Sequence, residues 1–422
     1  RQSVLELLAS EFPDVQVQLG EAQFQLFGGV RLQDLRLTRR GDSTGEPFAS
    51  FAEVIIHPDR EQLARGALVI RKVELIRPRV TVVRNVDGSL NVAALQTKQT
   101  SRQPPIVLIQ NGAFTYIDHV LSAPPIEFQE LQGTIAPIDP VVLRAQLSGK
   151  SALLGEFTVS GTVDSDTGEF DANYTLSKIR LGPSIHDLAA ALWPESRPFV
   201  RLEGDLEIEG ELAYHPGTSQ RWASTMHVDL RNGRYEHADL PVPLEQLNFV
   251  AQAQGCRLVI EHLVAQAGDA SLEGSAEFQS LANASDYRIR MKLDRLTVND
   301  RLIARLPPRM QSTVEDFGPV GKLSAGVEIN RSDGRTTVAC TVRPLGMSAT
   351  YSEFPYRVDG ITGSLQYSDA GKTPIIKVQL DGLADGISRA AAGGGDDEVK
   401  MPHRRGGGFG GHGVGNRSAG GR

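Results

Sequence analysis

The stretch of sequence that decides the fold is Leu202-Glu203-Gly204-Asp205-Leu206-Glu207-Ile208-Glu209-Gly210-Glu211-Leu212. Every second residue is apolar or glycine, and every residue between them is Glu or Asp. Because successive side chains of a β-strand point to opposite faces, this alternation predicts a strand with one dry face and one wet face. An amphipathic helix would instead space its apolar residues three and four positions apart.

The same period of two extends along the chain in both directions. Alternating segments include Phe157 to Val163, Met226 to Leu230, Tyr287 to Leu293 and Val338 to Val342. Polar loops rich in Asp, Ser and Gly separate such segments and are typical of hairpin turns. Helical patterns are limited to a segment that begins at Ser3, to Ser184–Trp193 and to Asp300–Leu306. The sequence therefore predicts a mainly β protein with an elongated, antiparallel, repeating sheet and a few short helices.

An internal repeat supports an elongated arrangement. Asn111-Gly112 and Asn232-Gly233 are each followed by a Pro-apolar-Glu segment, and a weaker third copy begins at Gly346. Repeated β units that stack edge to edge build an extended structure. We therefore divide the chain into an N-terminal β region (1–98), three β repeats (106–216, 217–308 and a partial one at 309–385) and a Gly-rich tail (386–422). The composition of the tail predicts disorder.

Charge and composition exclude several classes of protein. Lys and Arg number 44 against 51 Asp and Glu, a formal net charge of −7, which disfavours a nucleic-acid partner. No run of 18 apolar residues is present, so the sequence as given predicts no membrane-spanning helix. Cys256 and Cys340 both lie in alternating segments and are expected to be separate small apolar residues, with a single disulfide as the alternative.

We find no motif for catalysis, phosphate binding or metal binding in the sequence, and we expect a non-enzymatic protein without a cofactor. Asp164, Asp166 and Gly168 resemble the start of a calcium loop, but the later ligands are missing, so a hairpin turn is favoured. Two other pairings of carboxylate and imidazole, Asp118-His119 and His57-Pro58-Asp59, are interpreted as solvated turn residues.

The segment Leu75-Ile76-Arg77-Pro78-Arg79-Val80-Thr81-Val82-Val83-Arg84-Asn85-Val86-Asp87-Gly88-Ser89-Leu90-Asn91-Val92 contains a strand, a proline, a second strand with arginine and then Asp-Gly-x-x-Asn. It resembles the hallmark segment of the AsmA-like superfamily, the envelope proteins of the AsmA/TamB/YhdP type. Phe24 to Leu37 is similar to the segment after the family's N-terminal anchor, and Phe317 to Leu365 is similar to its later β repeats.

Members of this superfamily have one N-terminal membrane helix and a long, taco-like β groove across the periplasm, and they are implicated in moving phospholipids between envelope membranes. The resemblance implies a periplasmic protein anchored in the inner membrane, with phospholipid and outer-membrane components as partners. The sequence begins at Arg1, and an anchor helix is expected to precede it. Asp87, Gly88 and Asn91 match the family motif and are expected to form a turn rather than a reaction centre.

The apolar residues of the alternating strands are the candidate lining of such a groove. They are Phe157, Val159, Leu206, Ile208, Met226, Val228, Ile289, Met291 and Val338. Burial of an acyl chain gains about 0.8 kcal/mol per methylene, so a continuous apolar stripe holds a lipid without a specific polar ligand. The same stripes are also compatible with two sheets that pack on each other as a sandwich core.

The leading functional hypothesis is a β groove that shields or conducts phospholipid and supports outer-membrane assembly and lipid homeostasis. A second hypothesis is a periplasmic scaffold or chaperone-like protein whose sheet edges pair with strands of outer-membrane proteins. A third is a carbohydrate-active enzyme that uses acidic pairs such as Glu207 and Glu209, although these belong to an unbroken acidic strand face.

Overall fold

The computed structural model describes residues 12–25, 29–41, 45–65, 69–92, 104–121, 123–192, 201–218, 221–237, 240, 242–280, 286–304, 308–369, 375–384 and 387–390. Within them, 22 strands form one sheet. The strands are β1 (Val15–Gln18), β2 (Glu21–Gln25), β3 (Gly29–Arg39), β4 (Ala49–Pro58), β5 (Ile70–Arg84), β6 (Ile106–Asp118), β7 (Ile126–Pro137), β8 (Val142–Ser151), β9 (Gly155–Asp164), β10 (Phe170–Leu181), β11 (Leu202–Tyr214), β12 (Trp222–Tyr235), β13 (Leu244–Gln254), β14 (Arg257–Ala267), β15 (Ala270–Phe278), β16 (Tyr287–Val298), β17 (Gly321–Ser332), β18 (Arg335–Pro344), β19 (Met347–Tyr351), β20 (Phe354–Ser368), β21 (Ile375–Ala384) and β22 (Ile387–Ala390).

The sheet is a long meander in which nearly every strand pairs with its neighbours in sequence. From β6 to β18 each strand pairs antiparallel with the next one. At the two ends, β1 and β2 both pair with β3, and β18 and β19 both pair with β20. The prediction of a mainly β, elongated, repeating sheet is confirmed.

One pairing departs from the antiparallel pattern. Strands β5 and β6 are parallel, with Val73 opposite Val107 and Arg84 opposite Asp118. A parallel pair needs a crossover connection that returns the chain to the same end of the sheet. The segment between these strands contains Gln96 to Pro105, which the sequence suggests as a linker, but most of it lies outside the described residues.

Four helices lie in the described chain: α1 (Arg60–Ala64), α2 (Pro183–Leu192), α3 (Asp300–Ile303) and α4 (Pro308–Phe317). The predicted helices at Ser184–Trp193 and Asp300–Leu306 correspond to α2 and to the shorter α3. Helix α4 contradicts the expectation that Pro307-Pro308 ends the helical structure, because proline is well tolerated at the first position of a helix. The helix predicted to begin at Ser3 lies outside the described residues.

Irregular residues follow a line across the sheet, and we call this the bulge line. Nine strand residues have φ between 49° and 64°: Asp34, Arg77, Asn111, Glu130, Lys178, Asn232, Gln246, Arg295 and Gly360. At seven of them the pairing register shifts, as between Leu176 and Ile179 or between Leu230 and Gly233. A bulge bends its strand and increases the local twist. The bulge line therefore marks a bend that runs across the sheet.

The sheet continues across the boundaries suggested by the sequence. The divisions at 98–106, 216 and 308 fall between strands that pair with each other, namely β5 with β6, β11 with β12 and β16 with β17. The last strand, β22, lies inside the predicted tail at 386–422, so regular structure extends to Ala390. Its backbone pairs with β21, and such pairing does not depend on an apolar composition. Residues 391–422 lie outside the described chain.

Candidate functional site

The pairing register places the predicted groove residues on one face of the sheet. Directly opposed residues of antiparallel strands share a face. One row of opposed residues crosses ten strands: Phe157, Leu176, Ile208, Val228, Ala251, Ile260, Ala276, Ile289, Ile329 and Val338. Five of the nine candidates are in this row. The other four lie two residues from a member of the row on the same strand and therefore share its face: Val159, Leu206, Met226 and Met291. We call this side of the sheet the apolar face.

Burial distinguishes an open face from the core of a sandwich. A second sheet packed on the apolar face would exclude water from its side chains. Phe157 is 8% exposed, but the other eight candidates are only partly buried. The sheet is open on this side, and its aliphatic side chains are accessible to a ligand.

Several of the most deeply buried residues lie beside the bulge line. Leu230 is fully buried, and Ile179 and Leu247 also belong to the core. In the nine four-residue segments around the bulges, such as Leu176-Ser177-Lys178-Ile179, the first and fourth residues lie on the apolar face and the third has the positive φ. In seven of the nine segments the bulge brings two apolar side chains to the same face three positions apart, and in the segments at Asn111 and Asn232 the fourth residue is glycine.

The opposite face of the sheet is polar. Glu203, Glu207, Glu209 and Glu211 of β11 are all exposed there, which fits a solvated surface. A depression of 670 Å³ crosses β10 to β14, and much of its lining comes from polar-face residues such as Glu209 and Gln252. Its lining also includes Met226, one of the nine groove candidates, and the other eight candidates do not line it.

The residues of the family motif are placed at the end of β5. Gly88 has a φ of 82°, and the Asp87 carboxylate accepts hydrogen bonds from the backbone N–H and the hydroxyl of Ser89. Asn91 does more than turn the chain, because its Oδ1 accepts from Val83 N–H at 2.8 Å and its Nδ2 donates to the Thr81 carbonyl at 2.8 Å. Its side-chain amide thus takes the position of a neighbouring strand beyond Ala49, the residue at which β4 begins.

The interpretation of Asp118 as a solvated turn residue is wrong. It is buried, and its carboxylate accepts hydrogen bonds from the backbone N–H groups of Val120 and Leu121, the Tyr116 hydroxyl and Arg84 Nη1. Burial raises the pKa of Asp118, but the hydrogen bonds outweigh burial and the net pKa lies below the ordinary value of 3.8. The sequence conceals this network because Arg84 is 34 positions away.

The other polar pairings serve local structure. Glu74 Oε1 lies 2.9 Å from both Lys72 Nζ and His57 Nε2, and the Lys72 hydrogen bond is the main cause of the lowered pKa of Glu74. Asp59 caps helix α1 by accepting from two backbone N–H groups. The predicted hairpin at Asp164 is present, because its Oδ1 accepts from the N–H groups of Asp166 and Thr167.

The two cysteines are free and have different environments. Cys340 is partly buried on the apolar face opposite Val327, and burial raises the pKa of its thiol. Cys256 contradicts the expectation of a small apolar filler, because it is exposed in the turn between β13 and β14. That turn is two residues long and places the thiol outside the sheet.

The described residues contain no group of three or more His, Cys, Asp or Glu side chains that could hold a metal ion. None of the helices in the described ranges combines the length and the hydropathy needed to span a membrane.

Comparison of the chain with protein-family models, with curated proteins and with solved structures gives no match in any of the three. The class of protein is therefore defined by the fold and the site alone: an open, repeating β-sheet protein with a continuous apolar face.

Proposed function

We propose that this chain is a non-enzymatic lipid-binding protein that shields or conducts phospholipid along the apolar face of its sheet. The observation that carries the proposal is the row of apolar side chains that crosses ten strands and that no layer of the described chain covers. Such a surface is unfavourable in water, because burial of apolar surface contributes a favourable free energy of about 25 cal/mol per Å². Acyl chains are a ligand that covers an extended apolar stripe without directional contacts.

The length of the row favours a chain-like ligand over a compact one. Neighbouring strands are about 4.8 Å apart, so ten strands in register present an apolar path of roughly 40 Å. An acyl chain that lies along part of this path gains about 0.8 kcal/mol for each methylene removed from water. Several lipids therefore fit in sequence, and each could move along the face without breaking a specific polar bond.

The cellular setting that we propose rests on the resemblance of Leu75 to Val92 to the AsmA-like hallmark segment. In that setting the chain lies in the periplasm, is anchored in the inner membrane by a preceding helix and supports outer-membrane assembly and lipid homeostasis. The turn at Asp87 and the strand-like contacts of Asn91 give the motif a structural role that agrees with a non-enzymatic protein.

The test is to place charge on the apolar face. Ile208 and Ile289 both belong to the row, so I208D combined with I289D is expected to abolish copurification of phospholipid, measured by lipid extraction and native mass spectrometry. The matched control is S160D with S275D, which places two carboxylates on the polar face of β9 and β15. Equal lipid content in both double variants would contradict the proposal.

A second candidate function is a scaffold that binds client strands at the edges of the sheet. The observation that favours it is that β22 pairs with β21 alone and that β1 and β2 pair with β3 alone in the described chain. Such edges present backbone groups for strand addition. Lipid-free protein with crosslinks to outer-membrane proteins at β22 would favour this function over lipid binding.

A further inference from the structure

Among the register-paired residues of the described strands, a single charged side chain interrupts the apolar face between β7 and β21. The register-paired residues of this face in the described strands are apolar residues, glycine, serine, threonine or tyrosine, except for Arg331 of β17. Arg331 lies opposite Tyr287 on one side and Thr336 on the other. Its position follows Val327 and Ile329 in the same alternating series.

Within the described residues, the guanidinium of Arg331 has no neutralising partner. Its Nε atom is buried without a hydrogen-bond partner, and none of the ion pairs between described side chains includes Arg331. By contrast, Arg288 and Arg290 on the polar face both approach Glu328. A buried donor without a partner costs free energy, so a ligand acceptor at this position is favoured.

Arg331 lies at the rim of the apolar face, at the strand ends remote from the bulge line. Aromatic side chains follow the same rim. Phe170, Tyr214 and Trp222 form one cluster. The ring centroids of Phe278 and Tyr287 are 5.9 Å apart, and this pair lies beside Arg331. Trp and Tyr prefer the boundary between an apolar and an aqueous medium. The rim is therefore suited to the level at which the headgroup of an amphiphile meets its acyl chains.

We propose that Arg331 is the headgroup subsite of the apolar face and binds an oxyanion, a phosphate or a carboxylate, of a lipid whose chains lie over Ile329 and Val327. This inference rests on the proposed lipid-binding function and adds the chemistry of the headgroup. The planar guanidinium donates two parallel hydrogen bonds to such an anion, a geometry that lysine does not offer.

The experiment compares two pairs of lipids that share their hydrocarbon chains and differ in whether the headgroup carries an anion. Dioleoylphosphatidylglycerol, dioleoylglycerol, oleate and oleyl alcohol are delivered from cyclodextrin to the purified chain, and affinities are measured by native mass spectrometry. We expect the anionic member of at least one pair to bind about ten- to a hundredfold more tightly than its neutral partner. R331Q removes this preference and leaves the neutral lipid unchanged, whereas R331K retains part of it.

The matched control is R343Q, which removes one positive charge from the polar face of β18. It keeps the anion preference, so a general effect of net charge is separated from a local contact. If R331Q loses the preference for dioleoylphosphatidylglycerol over dioleoylglycerol, the anion bound by Arg331 is a phosphate. If it loses the preference for oleate over oleyl alcohol, the anion is a carboxylate. The urea midpoint of R331Q is expected to be no lower than that of the native chain, because Arg331 Nε has no hydrogen-bond partner to lose.

Two results would overturn the inference in distinguishable ways. If all four lipids bind and R331Q changes none of the affinities, the headgroup subsite is wrong while the lipid-binding function stands. If none of the lipids binds, the proposed function fails together with the subsite.

Discussion

Asp118 shows how a single side chain joins two parallel strands at their ends. Arg84 and Asp118 are opposed residues of β5 and β6, and the carboxylate also accepts from the backbone N–H groups of the turn that follows β6. Both carboxylate oxygens are therefore occupied in the ionised state. A protonated carboxyl group would lose acceptor capacity at this position.

The pH dependence of stability tests this network. Because the pKa of Asp118 is lowered by folding, its ionised form stabilises the folded chain above the ordinary value of 3.8, and this contribution is lost as the pH falls through the lower pKa of the folded state. D118N is expected to unfold at lower urea concentration than the native chain at pH 7, with a difference that closes as the pH is lowered below 3.8. The control is D166N, an exposed turn residue, and a D118N deficit that persists unchanged at low pH would contradict the account.

At the scale of elements, the bulges give each long strand a defined bend. A residue other than glycine at positive φ costs about 1 to 3 kcal/mol of local strain, and such residues persist because the packing around them stabilises the conformation. At most of the bulges that packing is a pair of apolar residues on either side of the bulge, such as Leu244 and Leu247 around Gln246. The bend and the buried core beside it thus support each other.

Gln246 allows a matched test of this strain. Gln246 and Gln252 are both exposed residues of β13, but only Gln246 has a positive φ, 49°. Valine at positive φ is strongly disfavoured, so Q246V is expected to lower the free energy of unfolding by about 1 to 2 kcal/mol. Q252V is expected to change it by less than about 0.5 kcal/mol, since valine suits a regular strand. Urea denaturation followed by circular dichroism measures both, and equal effects would contradict the assignment of strain to the bulge.

Alternation along the chain was sufficient to predict the strands and the apolar residues, because the two-residue period is a local property of the backbone. The segments around the bulges carry a further signal that was missed. Two apolar residues three positions apart around a polar residue, as in Leu293-Asp294-Arg295-Leu296, mark a change of phase within one strand. The repeated Asn-Gly segments at Asn111 and Asn232 are two of these bulges.

Features that depend on distant parts of the chain were not predictable in this way. The parallel pairing of β5 with β6 depends on the path of the crossover, and the burial of Asp118 depends on Arg84. Arg331 follows the alternation of β17, but its isolation becomes evident only when the register of the neighbouring strands is known. Whether an apolar stripe is open or covered is likewise a property of the whole sheet.

At the scale of the whole molecule, one bent sheet combines a continuous apolar face with a solvated polar face. Strands β10 to β13 each contribute several apolar side chains on one side of the bulge line, and antiparallel pairing aligns them across the sheet. Lengthening the sheet by further repeats extends the apolar face without changing its width. This architecture suits a protein that holds chain-like ligands along its length.

The most direct test of the central claim is site-specific photo-crosslinking to bound phospholipid along β12. A photoreactive amino acid is placed in turn at Met226, His227, Val228 and Asp229, which alternate between the two faces. The account predicts lipid adducts, identified by mass spectrometry, at Met226 and Val228 and none at His227 and Asp229. Adducts without this period of two, or adducts confined to His227 and Asp229, would contradict the claim that acyl chains occupy the apolar face.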